Sequence, residues 1–223
     1  MRICYSFASR NRPQKFFNCL DNIQDMSDDK NYFVWAKLDN DDPVADIYIA
    51  RLHEYPELTT KWGLSTNKVH AINRSMDDLP PCDIIIMMSD DMVFEVYGFD
   101  NDIRDAFKKH FPDLDGSIHF PDSHALSRTI TLSILGINLY KRLGYLYWHE
   151  YDNVYPDNDF TEVVRGLNKY AFVDKKIFDH YHPIWQMAAW DEQYRKTEAP
   201  EGYHKDHQTF LKRKSENFGI DKL

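Results

Sequence analysis

The chain has 223 residues, a formal net charge of −9 and 43% hydrophobic residues. This length fits one large domain or a domain with a small appendage, and the apolar content excludes global disorder. The net negative charge argues against sequence-independent binding to the nucleic-acid backbone. Three cysteines without a CxxC pair argue against a disulfide framework or a cysteine zinc site. With no apolar run of ~18 residues and no signal-peptide pattern, we expect a soluble cytoplasmic protein.

The first hundred residues alternate between β-type and helical patterns. The predicted elements are a strand at 2–8, a helix at 14–25, a strand at 32–38, a helix at about 66–76 and a strand at 83–88. Pro13 suits the first turn of the first helix, and the continuous apolar run DIIIMM is typical of a central parallel strand covered on both faces. This alternation predicts an α/β doubly wound sheet.

The second half of the chain is more mixed. We predict a strand near 129–134, a helix near 137–143, a helix near 158–168 and a strand near 171–179. The final stretch, 190–223, predicts one or two solvated helices carrying Lys205, Lys212, Arg213 and Lys214. The alternatives are that it covers a ligand-binding cleft or contacts an anionic acceptor or a membrane surface. We therefore divide the chain into a main domain at 1–189, with halves at 1–100 and 101–189, and a helical extension at 190–223.

Polar clusters follow three of the predicted strands, at the edge where open α/β sheets bind ligands. They lie at 9–12, 39–42 and 89–91. The adjacent carboxylates Asp90 and Asp91 follow a strongly apolar strand, and their charges are costly to hold close unless a cation shares them. Oxygen ligands of this type suit Mg²⁺ and Mn²⁺. The alternative is that the two residues cap a turn.

Two further groups lie in the second half. Asp157 and Asp159 open a predicted helix, so either one is an N-cap or a general base. His180 and His182 share one face of a predicted strand and are able to reach the same site, where one imidazole would complete a Mn²⁺ shell. The alternative is a pair of surface histidines in an aromatic-rich loop.

These segments, in this order, resemble the family 2-type glycosyltransferases with the GT-A fold, over residues 2 to about 185. The similar segments are SxxSRNRP, KLDNDDP, WGLSTNKVHAINR, DIIIMMSDDM, PDNDF with Arg165, and HYHP. DIIIMMSDDM resembles the strand that carries the so-called DXD motif, with Ser89 where the family often has a first acid. PDNDF resembles the acceptor-side acidic motif, but Pro156 precedes Asp157, which leaves Asp157 and Asp159 as rival bases.

The resemblance implies a GT-A fold: a mixed, mostly parallel sheet flanked by helices, followed by the helical extension. It implies a metal-dependent, inverting transferase that uses Mn²⁺ or Mg²⁺ and a nucleotide-diphosphate sugar, with a UDP-sugar favoured. The resemblance implies that Asp91 binds the metal with His180 or His182, and that Asp90 contacts the ribose or a metal-bound water. It implies that Asp39 contacts the nucleotide base, and that Arg10, Asn67 and Lys68 contact the base or the phosphates. Ser9 and Arg12 would contact the nucleotide from the first nucleotide-binding loop.

The acceptor and some rival functions stay open. The aromatic residues Tyr145, Tyr147, Trp148, Tyr151, Tyr155 and Trp185 suit sugar rings or stacked bases, but such residues are also common core anchors. The expected acceptor is a glycan or glycoconjugate, with a modified nucleobase as an alternative. The rival functions are a non-catalytic nucleotide-sugar-binding subunit, a metal-dependent hydrolase and a nucleotidyltransferase, although SFASRNRP lacks the glycines of a typical nucleotidyltransferase phosphate loop.

Overall fold

A seven-stranded, mostly parallel sheet with the order β3-β2-β1-β4-β7-β6-β8 forms the centre of the protein. The computed structural model describes residues 1–125, 128–197 and 199–223. The strands are β1 (Ile3–Ser9), β2 (Tyr32–Asp39), β3 (Leu58–Gly63), β4 (Ile84–Met88), β5 (Met92–Phe94), β6 (Ser117–His119), β7 (Ile134–Gly136), β8 (Tyr170–Phe172) and β9 (Phe178–His180). Only β7 runs antiparallel to its neighbours in the central sheet, and β5 and β9 form a separate antiparallel pair.

Helices cover both faces of the central sheet. They are α1 (Pro13–Met26), α2 (Ala45–Arg51), α3 (Lys68–Asn73), α4 (Phe99–His110), α5 (Ile137–Leu143), α6 (Pro156–Gly166), α7 (Glu192–Thr197) and α8 (Pro200–Ser215). One core joins the sheet to α1 and α4, and a second core on the other face joins it to α3, α5 and α6. All five residues of β4 are buried, which confirms the prediction of a central strand covered on both sides.

The predictions for the first half are largely confirmed. Strands β1, β2 and β4 and helix α1 lie where their patterns indicate, and parallel pairing of β1 with β2 and β4 confirms the α/β sheet. The helix predicted at 66–76 is shorter, because Arg74 is extended and Ser75 has a positive φ of 59°. Strand β3 was not predicted, since its polar sequence LTTKWG forms a half-exposed sheet edge rather than an apolar run.

In the second half, α5 has the predicted bounds, and α6 begins two residues earlier than predicted, with Pro156 in its first turn. The strand predicted near 129–134 is wrong in position, because β7 begins only at Ile134. The single strand predicted near 171–179 is two strands in different sheets. Strand β8 pairs with β6, whereas β9 pairs with β5, and a loop that contains Lys175 separates them.

Helix α8 packs against the main domain through two buried charges, so the prediction of a wholly solvated extension is wrong. Arg213 is only 3% exposed and pairs with the equally buried Asp159. Asp206 is fully buried, and its carboxylate accepts the backbone N–H groups of residues 152–154, just before α6. Lys205 and Lys212 form ion pairs with acidic residues of the same region.

Within the described ranges, none of the helices combines the length and the apolar character that crossing a membrane requires.

Candidate active site

A cavity of about 690 Å³ opens at the carboxyl ends of β1, β2 and β4. It is lined by all the predicted site residues except Asp159: Ser9, Arg10, Arg12, Asp39, Asn67, Lys68, Asp90, Asp91, Asp157, His180 and His182. The parallel strands bring the first three segments to one sheet edge, and β9 brings His180 beside them through its pairing with β5. His182 lies two residues beyond β9, so the prediction that both histidines share one strand face is wrong, although both line the cavity. Residues far apart in sequence therefore share one cleft.

The adjacent acids Asp90 and Asp91 are both buried in this cavity. Arg12 binds Asp90 at 3.0 Å, and the Ser9 hydroxyl donates to the same carboxylate at 3.3 Å. Burial and the neighbouring Asp91 charge raise the pKa of Asp90 to about 6, against the opposing effect of Arg12. Burial alone would also raise the pKa of Asp91, but the His180 and Ser89 side chains hold that pKa well below its usual range.

The donor set around Asp91 fits a divalent cation that is shared with a ligand. His180 Nε2 lies 3.3 Å from Asp91 Oδ1, a buried oxygen without a hydrogen bond in the structure. No group of three or more His, Cys, Asp or Glu side chains in the described segments is arranged to hold a metal ion. Because Mg²⁺ is commonly held by one or two carboxylates together with substrate phosphates, Asp91 together with a bound ligand's phosphates is chemically sufficient. His182 lies beside this pair, with its ring centroid 5.4 Å from that of His180.

The two histidines differ electrostatically. Burial lowers the pKa of His180, but the neighbouring Asp91 outweighs this effect, so the pKa is raised overall. Burial lowers the pKa of His182 to about 4, against a weaker pull from Asp91. At neutral pH His182 is therefore a neutral imidazole, which is the form that binds metals.

Tyr194 of α7 closes one side of the acid pair and was not predicted. Its hydroxyl donates to Asp91 Oδ2 at 2.8 Å, and its ring lies under the Arg12 guanidinium at 3.7 Å. Asp191, just before α7, binds Arg12 at 2.7 Å and Lys15 at 3.0 Å. The sequence pattern of 190–223 indicated a polar helical extension that was able to cover the cleft, but nothing in it marked Tyr194 or Asp191 for a contact with the strand ends.

Asp39 forms the centre of a second charged cluster, at the end of β2. Its Oδ1 accepts from Ser65 at 2.6 Å and from Arg74 at 3.2 Å, and its Oδ2 accepts from Arg10 at 3.0 Å. Arg74 also donates to the Leu38 carbonyl, which fixes the guanidinium against the strand end. A carboxylate has about four acceptor sites, so Asp39 keeps capacity for one more donor.

Helix α3 brings Asn67 and Lys68 to the cavity. The Asn67 side chain caps the helix by accepting the His70 N–H, and its amide donates to Asp152 at 2.7 Å. Asn67 is therefore a cap and a tether to the loop before α6, as well as a lining residue. Lys68 is an exposed cavity residue whose charge lowers the pKa values of Asp91 and Asp157, although burial outweighs this effect at Asp157.

The two rival acids of α6 have different surroundings. Asp157 lines the cavity, and burial raises its pKa above the usual range despite a hydrogen bond from the Asn158 N–H. Asp159 lies outside the cavity lining and is 1% exposed. Its carboxylate accepts from Tyr151 at 3.0 Å and from Arg213 at 2.9 and 3.1 Å. The structure therefore brings only Asp157 to the predicted site, whereas Asp159 joins α6 to α8.

No protein-family profile matches the chain, and no curated protein sequence matches it. Several solved structures have a similar fold. One is the mannosyltransferase PcManGT from Pyrobaculum calidifontis in complex with GDP-Man and Mn²⁺, with a TM-score of 0.63 and 15% identity over 78% of this chain and 55% of that chain. Another is residues 1–349 of S. aureus TarS in complex with UDP-GlcNAc, with a TM-score of 0.63 and 13% identity over 88% of this chain and 64% of that chain.

A third similar structure is the 4-diphosphocytidyl-2C-methyl-D-erythritol synthase from Anaerococcus prevotii, with a TM-score of 0.54 and 13% identity over 78% of this chain and 86% of that chain. At such low identities the likeness establishes the fold alone. The chain therefore has the GT-A fold, as the resemblance predicted, and spans a little over half the length of the mannosyltransferase.

Proposed function

We propose that this protein transfers a sugar from a nucleoside-diphosphate sugar to an acceptor hydroxyl with the help of a divalent cation. The observation that carries this proposal is the pair Asp90–Asp91, buried at the end of β4 in the main cavity, with His180 beside Asp91. The GT-A fold and the GDP-Man and UDP-GlcNAc complexes of two similar structures support a nucleotide-sugar donor. The chain's own acid pair supports the metal.

On the donor side, Asp91 would hold a Mn²⁺ or Mg²⁺ ion together with one imidazole, that of His180 or that of His182. When bound, the cation supplies positive charge that offsets the charge developing on the leaving diphosphate. Arg12 and Lys68, which both line the cavity, would add positive charge, and Asp90 would orient the ribose. Asp39 would accept a hydrogen bond from the base, and a UDP-sugar is the favoured donor.

On the acceptor side, we propose Asp157 as the general base. Its carboxylate lines the cavity, and its raised pKa makes it a stronger proton acceptor than an ordinary aspartate. It would take the proton from the acceptor hydroxyl as that oxygen attacks the anomeric carbon and the bond to the diphosphate breaks. A single displacement of this kind inverts the anomeric configuration.

The acceptor is proposed to be a glycan or glycoconjugate. Tyr147, Tyr155 and Trp185 line the cavity and offer aromatic faces that suit sugar rings. The other predicted aromatic residues serve packing: Trp148 lies against Arg213, and Tyr151 donates to Asp159. A modified nucleobase is the alternative acceptor for the same aromatic wall.

The test is nucleoside-diphosphate release from a panel of UDP- and GDP-sugars with Mn²⁺, in the presence of pooled glycan acceptors. We expect acceptor-dependent release by the wild type and its loss in Asp91→Asn. Asp105→Asn is the matched control, because Asp105 is a 71% exposed side chain on α4 outside the cavity lining. Release that is independent of any acceptor would identify a hydrolase, and binding without release would identify a non-catalytic subunit.

A nucleotidyltransferase is the second candidate, because the synthase from Anaerococcus prevotii has a similar fold. Such an enzyme would transfer the nucleotidyl group of a nucleoside triphosphate to a phosphorylated co-substrate and release pyrophosphate. The segment SFASRNRP, which forms the end of β1 and the turn into α1, has no glycine to bring its backbone close to a triphosphate, and this favours sugar transfer. If the protein released pyrophosphate from a nucleoside triphosphate and a sugar phosphate, and did not react with nucleotide sugars, nucleotidyl transfer would replace sugar transfer as the favoured function.

A further inference from the structure

Lys37 is a buried lysine in the wall of the cavity. It lies in β2, where its side chain is only 1% exposed, and it is one of the residues that line the cavity. Its ammonium donates to the hydroxyl of Ser6 on the neighbouring strand. Lysine is almost never fully buried unless its charge is paired, so this position calls for a physical explanation.

Among the described residues, no carboxylate forms an ion pair with Lys37. The nearby Asp39 carboxylate pairs with Arg10 and Arg74 instead. Burial lowers the pKa of Lys37 to about 7, and the positive charge of Arg74 acts in the same direction. The ammonium has three donors and uses one of them on Ser6, so two remain for an acceptor that enters from the cavity.

We propose that Lys37 forms the floor of the subsite for the nucleobase of the donor and donates a hydrogen bond to a carbonyl oxygen of that base. This inference rests on the proposed function and names the donor more closely, as a nucleotide whose base carries a ring carbonyl, such as uracil or guanine. Adenine has no such oxygen.

The arrangement of the cavity favours the base over the diphosphate as the partner of Lys37. Residues 37 and 39 lie on the same face of β2, because alternate residues of a strand share a face, so a donor and an acceptor stand side by side. Ala71 and Ile72 of α3 line the same cavity and supply an apolar wall for a flat ring. The Asp90–Asp91 pair, which the proposed function assigns to the cation and the diphosphate, lies instead at the end of β4, and Arg12 follows the end of β1.

The experiment measures the dissociation constants of UDP, GDP, ADP and inorganic pyrophosphate, each with Mn²⁺, by calorimetry. Lys37→Met keeps the apolar length of the side chain and removes the donors. We expect UDP or GDP to bind roughly 10- to 100-fold more weakly, as is typical when a hydrogen bond from a charged group is lost. Pyrophosphate affinity stays unchanged, and ADP binds weakly to both proteins.

Two variants serve as controls. Lys61→Met makes the same substitution on β3, where Lys61 pairs with Asp78 and does not line the cavity. This variant should leave the affinities for all four ligands unchanged. Lys37→Gln keeps a neutral donor and should recover part of the UDP or GDP affinity. We expect Lys37→Met to melt no lower than the wild type, because it removes a buried amine without a counter-ion.

The outcomes separate this inference from the proposed function. Unchanged UDP and GDP affinity in Lys37→Met, or an equal loss for pyrophosphate, would overturn the assignment to the base while leaving nucleotide binding intact. A wild type that binds none of the nucleotides would overturn the proposed function itself, and with it the subsite.

Discussion

The molecule carries two pairs of acids that look alike in sequence and behave differently in the fold. Asp90 and Asp91 follow strand β4, and both line the cavity. Asp157 and Asp159 lie in the first turns of α6, and only Asp157 lines the cavity. Asp159 is instead held by Arg213 and Tyr151 in the contact between α6 and α8. Both acids of the first pair line the cavity, whereas the second pair is divided between the cavity and the core.

Backbone geometry explains this difference. The chain leaves the sheet at the end of β4, so both neighbouring side chains reach the same cleft. In an α-helix, residues two apart are separated by about 200° around the axis, so Asp157 and Asp159 point in nearly opposite directions. The lesson is that acids in one short motif share a function only if the backbone brings them to the same face.

The largest expected effect separates the two acids of α6. We expect Asp157→Asn to lower kcat by roughly 10²- to 10⁴-fold, the usual contribution of general base catalysis, with little change in the KM of the donor. Steady-state kinetics with an identified acceptor measure this, and a circular dichroism melt serves as the folding control. A kcat within tenfold of the wild type would remove Asp157 from the reaction.

The opposite phenotype is expected of Asp159→Asn. This variant leaves Arg213 buried without its counter-charge, which typically costs about 3–5 kcal/mol of unfolding free energy. Urea unfolding measures the loss. The double variant Asp159→Asn with Arg213→Met should recover much of it, because the unpaired charge is gone. Normal stability combined with lost activity would instead place Asp159 in the reaction.

The pH profile should follow Asp157. Because its pKa is raised in the folded protein, we expect kcat/KM to fall with decreasing pH at a value above the ordinary aspartate range. The stability of the protein depends on pH in the opposite direction to its activity. A group whose pKa is raised in the folded state contributes its full stabilisation below the unfolded-state pKa. That contribution is lost as the pH rises through the folded-state pKa. Asp157→Asn should therefore gain stability over the wild type at neutral pH and show no such gain in acid.

The smallest expected effect concerns Tyr194, which donates to Asp91 Oδ2. We expect Tyr194→Phe to bind Mn²⁺ with a nucleoside diphosphate about two- to tenfold more tightly, because one hydrogen bond no longer competes for that oxygen. Calorimetric titration of both proteins measures the change. Weaker binding in Tyr194→Phe would mean that the hydroxyl holds Asp91 in its binding position.

Strands β1, β2 and β4 of the first half were predictable because they are largely apolar runs with polar clusters at their ends. The run DIIIMM places β4, and β4 brings Asp90 and Asp91 to the cavity. The sequence analysis did not single out Lys37 of β2, because its burial is visible only in the structure.

The second half was less predictable because its packing depends on contacts between distant residues. The pairing of Arg213 with Asp159 and of Tyr194 with Asp91 has no local signature, so α7 and α8 resembled solvated helices. The short strands β8 and β9 are set by their partners in two different sheets. The period of α6, however, contained the information that Asp157 and Asp159 face different ways.

The most direct test of this account is thermal unfolding with a panel of nucleoside diphosphates, with and without Mn²⁺, for the wild type, Asp91→Asn and the control Asp105→Asn. A ligand at 100 times its dissociation constant stabilises a protein by about 2.7 kcal/mol, which is a shift of several degrees at this size. We expect a Mn²⁺-dependent shift in the wild type and the control that Asp91→Asn lacks. No shift with any nucleotide, or an equal shift in Asp91→Asn, would contradict a donor site built on the acid pair.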